Sequence, residues 1–382
     1  MNRTGHPLYF DYNASTPVPP RVRAAVLRAL EEGFGNPSAA HPYARRARDM
    51  VERARIQVAR LIGAEPEEIV FTSGGTEASN LALRGVLPGT NGGGLVTTTI
   101  EHPATQAPSR ALEAAGVQVT RVAPTPDGCV EADHVSAALD AMRTPPVLVS
   151  LLLAQNETGV LQPVAEIAAL ARAHGALLHV DAAQAVGKIP VDVNALGVDL
   201  LSLAGHKLYA PKGVGALYVR RGVTIQPLLV GAGHERGLRP GTENVPGIVG
   251  LGEACGMALE GLDEEAKRQQ GLRDTLEQRL GAAGFVVHGA GASRLPNTTN
   301  GRFPGVQGAT LATRLCEELA FTTGSACHAG VAKPSDVLTA MGIAAEDAVC
   351  AIRLSLGRGT TEEDVERAGE LLLRAVSAPR GG

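Results

Sequence analysis

"DLLSLAGHKLYAPKGVGALYV", residues 199–219, joins two apolar runs through a lysine and a glycine-rich turn. The runs 199–205 and 213–219 each have the length of a buried strand. Lys207 comes straight off the first of them. A charge in that setting is costly unless it is paired, neutralised or carried out to solvent. Lys207 is therefore either a snorkelling cation or a group with a chemical task.

Outward from this stretch, short β-like runs alternate with helical patterns. EIVFTSG (68–74), GLVTTTI (94–100), VQVTRVA (117–123), VLVSLLLA (147–154) and ALLHVDA (176–182) read as strands, and IAALARAHG is one of the helical stretches between them. Such alternation predicts an α/β fold with a mainly parallel sheet. Near Leu259 a second region begins: LEGLDEEAKRQQGLRDTLEQRLGAAG places Leu272, Leu276 and Leu280 on one helical stripe. The predicted division is a large domain over 15–258 and a smaller α/β domain built from 1–14 and 259–382.

Composition narrows the functional classes. The chain has 382 residues, 44% apolar and 19% charged, which suits a globular protein of two domains. Its formal charge of −4, without blocks of like charge, disfavours nucleic-acid and membrane-surface partners. Aromatic residues are 3% with no Trp, which disfavours stacking on single strands. The start, MNRTGHPLYFDYNASTP, lacks the apolar core of a signal peptide, so a soluble cytoplasmic protein is expected. Five scattered cysteines without a CxxC pair argue against a disulfide framework and a four-thiolate metal site. No metal site is expected.

In open α/β sheets, ligands settle beyond the carboxyl ends of the strands, so polar residues just after the apolar runs are the ones to collect. Gly75 and Thr76 follow EIVFTSG and open a helix, a ready phosphate cradle. His102 follows GLVTTTIE, Asp181 follows ALLHV with Gln184 close behind, and Lys207 follows DLLSLAG. Taken singly, each has a bland reading: a helix cap, a solvated lysine, a satisfied histidine. Taken together they meet the demands of pyridoxal phosphate, which needs an amine to bond, an acid facing its pyridine nitrogen, a phosphate site and a flat neighbour for its ring.

The chain resembles the class V aminotransferases, and more closely their cysteine desulfurase branch. The likeness rests on DYNASTP (11–17), GNPSAAH (35–41), FTSGGTEASN (71–80), EHPA (101–104), QNETG (155–159), HVDAAQAVGK (179–188), GHERGLRPGTENV (233–245), GSACHAG (324–330) and RLSLGR (353–358). It implies a pyridoxal-phosphate enzyme of fold type I, similar to aspartate aminotransferase, working as a homodimer. It implies that Lys207 bonds the cofactor and moves the Cα proton, that His102 stacks on the ring, and that Asp181 holds the pyridine nitrogen. Asn156 and Gln184 would orient the phenolic oxygen, with Asn156 also near substrate. Gly75, Thr76, His206 and, across the dimer, Thr242 would hold the phosphate, and Arg353 the substrate carboxylate. Cys327 would take the sulfur of L-cysteine as a persulfide, leave alanine, and pass the sulfur to an acceptor protein, an iron–sulfur scaffold or a sulfur carrier.

Composition around Cys327, TTGSACHAGVAKP, predicts a mobile exposed loop, with His328 and Lys333 favouring the thiolate. Cys129, Cys255, Cys316 and Cys350 are expected to be structural. Ala204 stands where many desulfurases have a phosphate-binding Ser, so one hydroxyl contact is expected to be missing. The pair Cys327-His328 and the run GHERGLRPGTENVP also resemble selenocysteine lyases, the alternative activity; another aminotransferase reaction of the same fold is more distant, and a scaffold without catalysis more distant still.

Overall fold

The computed structural model describes residues 5–87, 93–323, 327–328 and 331–378, with backbone alone at 327, 328, 331 and 332. The apolar runs form one seven-stranded sheet: β1 (Ile69–Thr72), β2 (Gly94–Thr98), β3 (Gln118–Val122), β4 (Pro146–Leu152), β5 (Leu177–Asp181), β6 (Leu200–Ala204) and β7 (Gly215–Val219). Their spatial order is β1-β7-β6-β5-β4-β2-β3. β7 runs antiparallel to both neighbours and every other pairing is parallel. Each predicted strand is present, trimmed at its ends.

The sheet is buried on both faces, which is why its strands read as continuous apolar runs and not as alternating ones. On one face, α1 (Pro20–Glu32) and α2 (Pro42–Ile62) place Ala29, Val51, Ala54 and Val58 in the main core with Phe71, Val180 and Leu201. On the other, α3 (Gly75–Val86) and α4 (Pro103–Ala114) bury Leu81, Leu83 and Leu112 against Val70, Leu95 and Leu217.

A third apolar cluster lies apart from these. It gathers Leu8, Phe10, Leu272, Leu276, Leu280, Phe285, Phe303, Ile352, Leu354 and Leu371. Its sheet has the order β10-β11-β9-β8, all antiparallel, from β8 (Val286–Val287), β9 (Thr298–Arg302), β10 (Thr322–Thr323) and β11 (Ala351–Ser355). The stripe at 272, 276 and 280 faces this core.

A single helix, α5 (Val245–Gly281), spans both regions and is interrupted at Gly261, where φ is −139°. The sequence reading placed a boundary where the structure has that kink inside a continuous element. One 18-residue window of α5 is apolar enough to cross a membrane, with mean hydropathy 1.2, yet half of it is buried. Val245, Ile248, Leu251 and Ala254 on it pack into the main core beside Met50 and Ala54.

Candidate active site

The turn after β6 is tightly specified. A Cβ on Gly205 would come within 2.8 Å of the Val214 carbonyl oxygen, and one on Gly215 within 2.7 Å of the Gly74 Cα. Neither position accepts a side chain, and the second lets the turn before α3 approach the sheet. Tyr209, just past Lys207, is a non-glycine residue at φ 65°, in the left-handed region. Its N–H donates to Thr16 Oγ1 at 2.8 Å, its hydroxyl accepts from Arg358 N at 2.8 Å, and the Arg358 guanidinium lies 5.3 Å from its ring centre. These contacts hold the strained backbone that aims Lys207.

Lys207 points inward. Its Nζ donates to the backbone carbonyls of Asn13 and, at 3.0 Å, of Ala14. Desolvation and the positive charge of Arg353 bring its pKa down from 10.5 to about 8, against the opposing pull of Asp11 and Asp181. An amine so tuned is roughly one-tenth neutral at pH 7, far more than an ordinary lysine, and bond formation with an aldehyde requires that neutral form.

Around it one cavity is lined by Gly75, Thr76, His102, Asn156, Asp181, Gln184, Ala204, His206 and Lys207. Nearly the whole predicted set is thus brought together. Asp181 ends β5 and accepts from Ala183 N at 3.0 Å; burial pushes its pKa up, while His102 and Lys207 oppose. His102 caps α4 through Nδ1, which accepts from Ala104 N at 3.1 Å. That bond leaves the ring proton on Nε2, and desolvation lowers the pKa, so the imidazole is neutral. His102 thus caps a helix and lines the cavity at the same time.

At the opposite end, α3 starts after Gly74 without a side-chain cap, so its first N–H groups meet the cavity beside Thr76. His206 Nδ1 is buried with no partner among the described residues, and its pKa is brought down to about 4 by desolvation and by Lys207. Ala204 lines the same end and supplies no hydroxyl.

Arg353 enters from β11. It is 7% exposed, donates to the Asn156 carbonyl at 2.9 Å and to Asp11 Oδ1 at 2.6 Å, and keeps a buried Nε with no partner among the described residues. Arg353 itself is not among the lining residues of the cavity, and neither are two other predicted residues. Thr242 is exposed on the loop before α5, which lines a larger cavity floored by the buried Arg55–Glu235 ion pair. The Cys327 side chain lies outside the described residues; its backbone pairs with Ala332 in a short antiparallel ladder. Lys333, expected to favour the thiolate, is an exposed partner of Asp336 at 3.0 Å. Cys255 and Cys350 are buried as expected, but Cys316 is exposed, because at the end of helix Gly308–Leu315 it turns away from the face that buries Leu311 and Leu315.

Sequence reasoning missed Asn13 and Asp11, although both lie in the quoted DYNASTP. Asn13 is 1% exposed, and its carbonyl accepts from both Lys207 and Gln184. Its amide donates to Asn156 O and Thr298 Oγ1, tying the cavity to β9. Neither residue follows a strand of the large sheet, so the search at strand ends could not find them.

This fold and this lysine-centred cavity define a class of enzyme, and the comparisons agree: the class-V aminotransferase model matches residues 8–368, and the chain belongs to that family. A cysteine desulfurase IscS of Dictyoglomus turgidum is 40% identical over 380 residues, covering 98% of this chain and 95% of the relative. A solved NifS-like protein superposes with a TM-score of 0.91 at 37% identity, covering 97% of this chain and 99% of its own. A structure described as SspA in complex with cysteine follows at 0.81 and 36%, covering 91% and 98%. Within the family, the chain falls in the cysteine desulfurase branch.

Proposed function

We propose that the protein is a pyridoxal-phosphate-dependent cysteine desulfurase in which Lys207 bears the cofactor and Cys327 receives the sulfur. The observation that carries this reading is the convergence on one cavity of a near-neutral lysine, a buried carboxylate, a neutral imidazole and an uncapped helix start. Those groups fit the cofactor at both ends. Asp181 would pair with its ring nitrogen; the α3 start, Thr76 and the partnerless His206 Nδ1 would take its phosphate. The bound cofactor supplies an electron sink for the bond broken at the substrate Cα.

This chain's own residues do the rest. Arg353 binds the substrate carboxylate with a planar fork whose orientation Asp11 and the Asn156 carbonyl hold. The Lys207 amine would take the Cα proton, and the neutral His102 imidazole would stand against the cofactor ring. The Cys327 thiolate attacks the substrate sulfur: an S–S bond forms, the C–S bond breaks, and its electron pair goes to the substrate carbon. That carbon takes up a proton, Cα regains the one that Lys207 took, and the product departs as alanine. The persulfide is then passed to an acceptor thiol on an iron–sulfur scaffold or a sulfur carrier.

The working unit in this reading is a cytoplasmic homodimer in which Thr242 of the partner subunit completes the phosphate site. Its support is the exposure of Thr242 away from its own cavity and of Leu229 and Val230 nearby, with Phe34 and Tyr43 forming an exposed aromatic pair at 5.2 Å. The division into 15–258 and 1–14 with 259–382 is part of the proposal, supported by the separate core around Leu276 and Leu354.

Borohydride reduction of the cofactor-loaded protein, followed by peptide mass mapping, tests the lysine assignment. The reading expects the pyridoxyl mass on Lys207 and no visible absorption band in Lys207→Ala. A label on another lysine contradicts it.

A further inference from the structure

Lys188 lies behind the cavity wall, outside its lining. Its Nζ donates to Gln184 Oε1 at 2.7 Å and to Asn13 Oδ1 at 2.8 Å. Neither acceptor is a carboxylate, so charge pairing does not account for an amine brought inward at this place. Desolvation and the positive charges of Lys207 and Arg353 drive its pKa well below the ordinary lysine value. The other charged groups of the surroundings are Asp181 and the neutral His102 across the cavity, and Asp11 on Arg353.

The geometry constrains Gln184. A glutamine amide can present either its oxygen or its NH2 to a neighbour, and the hydrogen-bond network decides which. The Lys188 amine has a hydrogen for each of its two acceptors, and the Asn13 carbonyl on the far side of Gln184 can only accept, so together they turn the oxygen of Gln184 toward Lys188. The NH2 then lies on the other side, where one hydrogen goes to the Asn13 carbonyl at 2.9 Å. Its second hydrogen remains for the cavity. Asn13 cannot turn to compensate, because its Oδ1 also accepts from Asn297 at 3.1 Å and its Nδ2 donates to Thr298 at 2.8 Å.

We propose that Lys188 is a positioning residue of the reaction: acting through Gln184, it presents an amide N–H, not an amide oxygen, to the ring oxygen of the bound cofactor. The proposal rests on the pyridoxal phosphate reading above. An N–H at that oxygen stabilises its anionic form, whereas an amide oxygen there would repel it. Without Lys188 the Asn13 carbonyl alone holds the amide in this sense.

The test is a pH titration of the visible absorption of the cofactor-loaded protein, in wild type, Lys188→Met and Lys188→Arg, with cofactor content fixed by mass. The midpoint is expected to rise in Lys188→Met by about one pH unit, a tenfold gain in proton affinity, and to return most of the way in Lys188→Arg, which again offers only donors. A loss of thermal stability in Lys188→Met with an unchanged or lowered midpoint means a merely structural lysine and overturns the proposal. Should Lys188→Met not fold, Lys188→Gln takes its place, with an upward shift of about half that size expected and an unchanged midpoint overturning it. A wild type that acquires no visible band overturns the cofactor reading itself, and the proposal with it.

Discussion

Arg353 donates through Nη2 to Asp11 Oδ1 at 2.6 Å while its own Nε stays buried with no partner among the described residues. The acid of the amino-terminal segment thus holds one edge of the guanidinium that the proposed function assigns to the substrate carboxylate. Asp11→Ala should raise the KM for L-cysteine about tenfold, the equivalent of one charge-assisted hydrogen bond, with a smaller change in kcat. Steady-state alanine formation measures this; a fall in kcat at constant KM would place Asp11 in the chemistry instead.

The lowered pKa of Lys207 sets a pH dependence. Below pH 8 its amine is protonated and does not attack an aldehyde, so uptake of pyridoxal phosphate by the cofactor-free protein should speed up with pH and level off above about 8. Stopped-flow absorbance follows it. A rate still climbing at pH 10 would mean an unperturbed lysine. The same shift affects stability: between pH 8 and 10.5 the unfolded chain holds a proton that the folded one lacks, so this group's contribution to stability grows as pH rises through that window.

Glu101 has the opposite sign. It is buried beside Asp181, accepts from Thr98 Oγ1 at 2.6 Å and from Leu152 N at 3.2 Å, and desolvation raises its pKa to about 8. The folded protein keeps this carboxyl protonated at pH values where the unfolded chain has lost the proton, so its stability contribution is complete below pH 4.5 and falls away as pH rises through 8. Glu101→Gln should leave the thermal midpoint unchanged at pH 5 and raise it by a few degrees at pH 8.5. Scanning calorimetry at the two pH values decides; an equal effect at both would mean that ionisation of Glu101 is not involved.

Arg55 and Glu235 form a buried ion pair at 2.8 Å, and Glu235 also accepts from Phe71 N at 2.8 Å while held at φ 44°. Removing one partner of such a pair strands the other, at a cost of about 3–5 kcal/mol. Glu235→Ala should therefore lower stability by about that amount in urea, and it should weaken the proposed dimer, because Glu235 anchors the loop that carries Thr242. Sedimentation of the folded variant reads the second effect. An unaltered dimer would separate the loop from the interface.

The strands and the residues at their ends were legible because burial on both faces writes a parallel sheet as bare apolar runs, and the polar residue closing each run stands out. Lys207, Asp181, His102 and Thr76 could be collected in that way. Asp11, Asn13 and Lys188 could not. They stand behind the cavity lining, on a segment without periodicity or in the second layer of a turn, and their importance lies in hydrogen bonds across 175 to 342 residues of sequence. The exposure of Cys316 was hidden for a related reason: Leu311 and Leu315 before it are buried, but its place at the helix end decides its direction.

The central claim is tested most directly by incubating the cofactor-loaded protein with L-cysteine, in wild type and in Cys327→Ala, and measuring alanine release together with the intact mass of the protein. The account predicts that wild type releases alanine and gains one sulfur atom on Cys327, while Cys327→Ala keeps its colour but gains no sulfur and releases alanine at least a hundredfold more slowly, about 3 kcal/mol of lost transition-state stabilisation. Unchanged alanine release by Cys327→Ala, or a sulfur adduct on another cysteine, would contradict it.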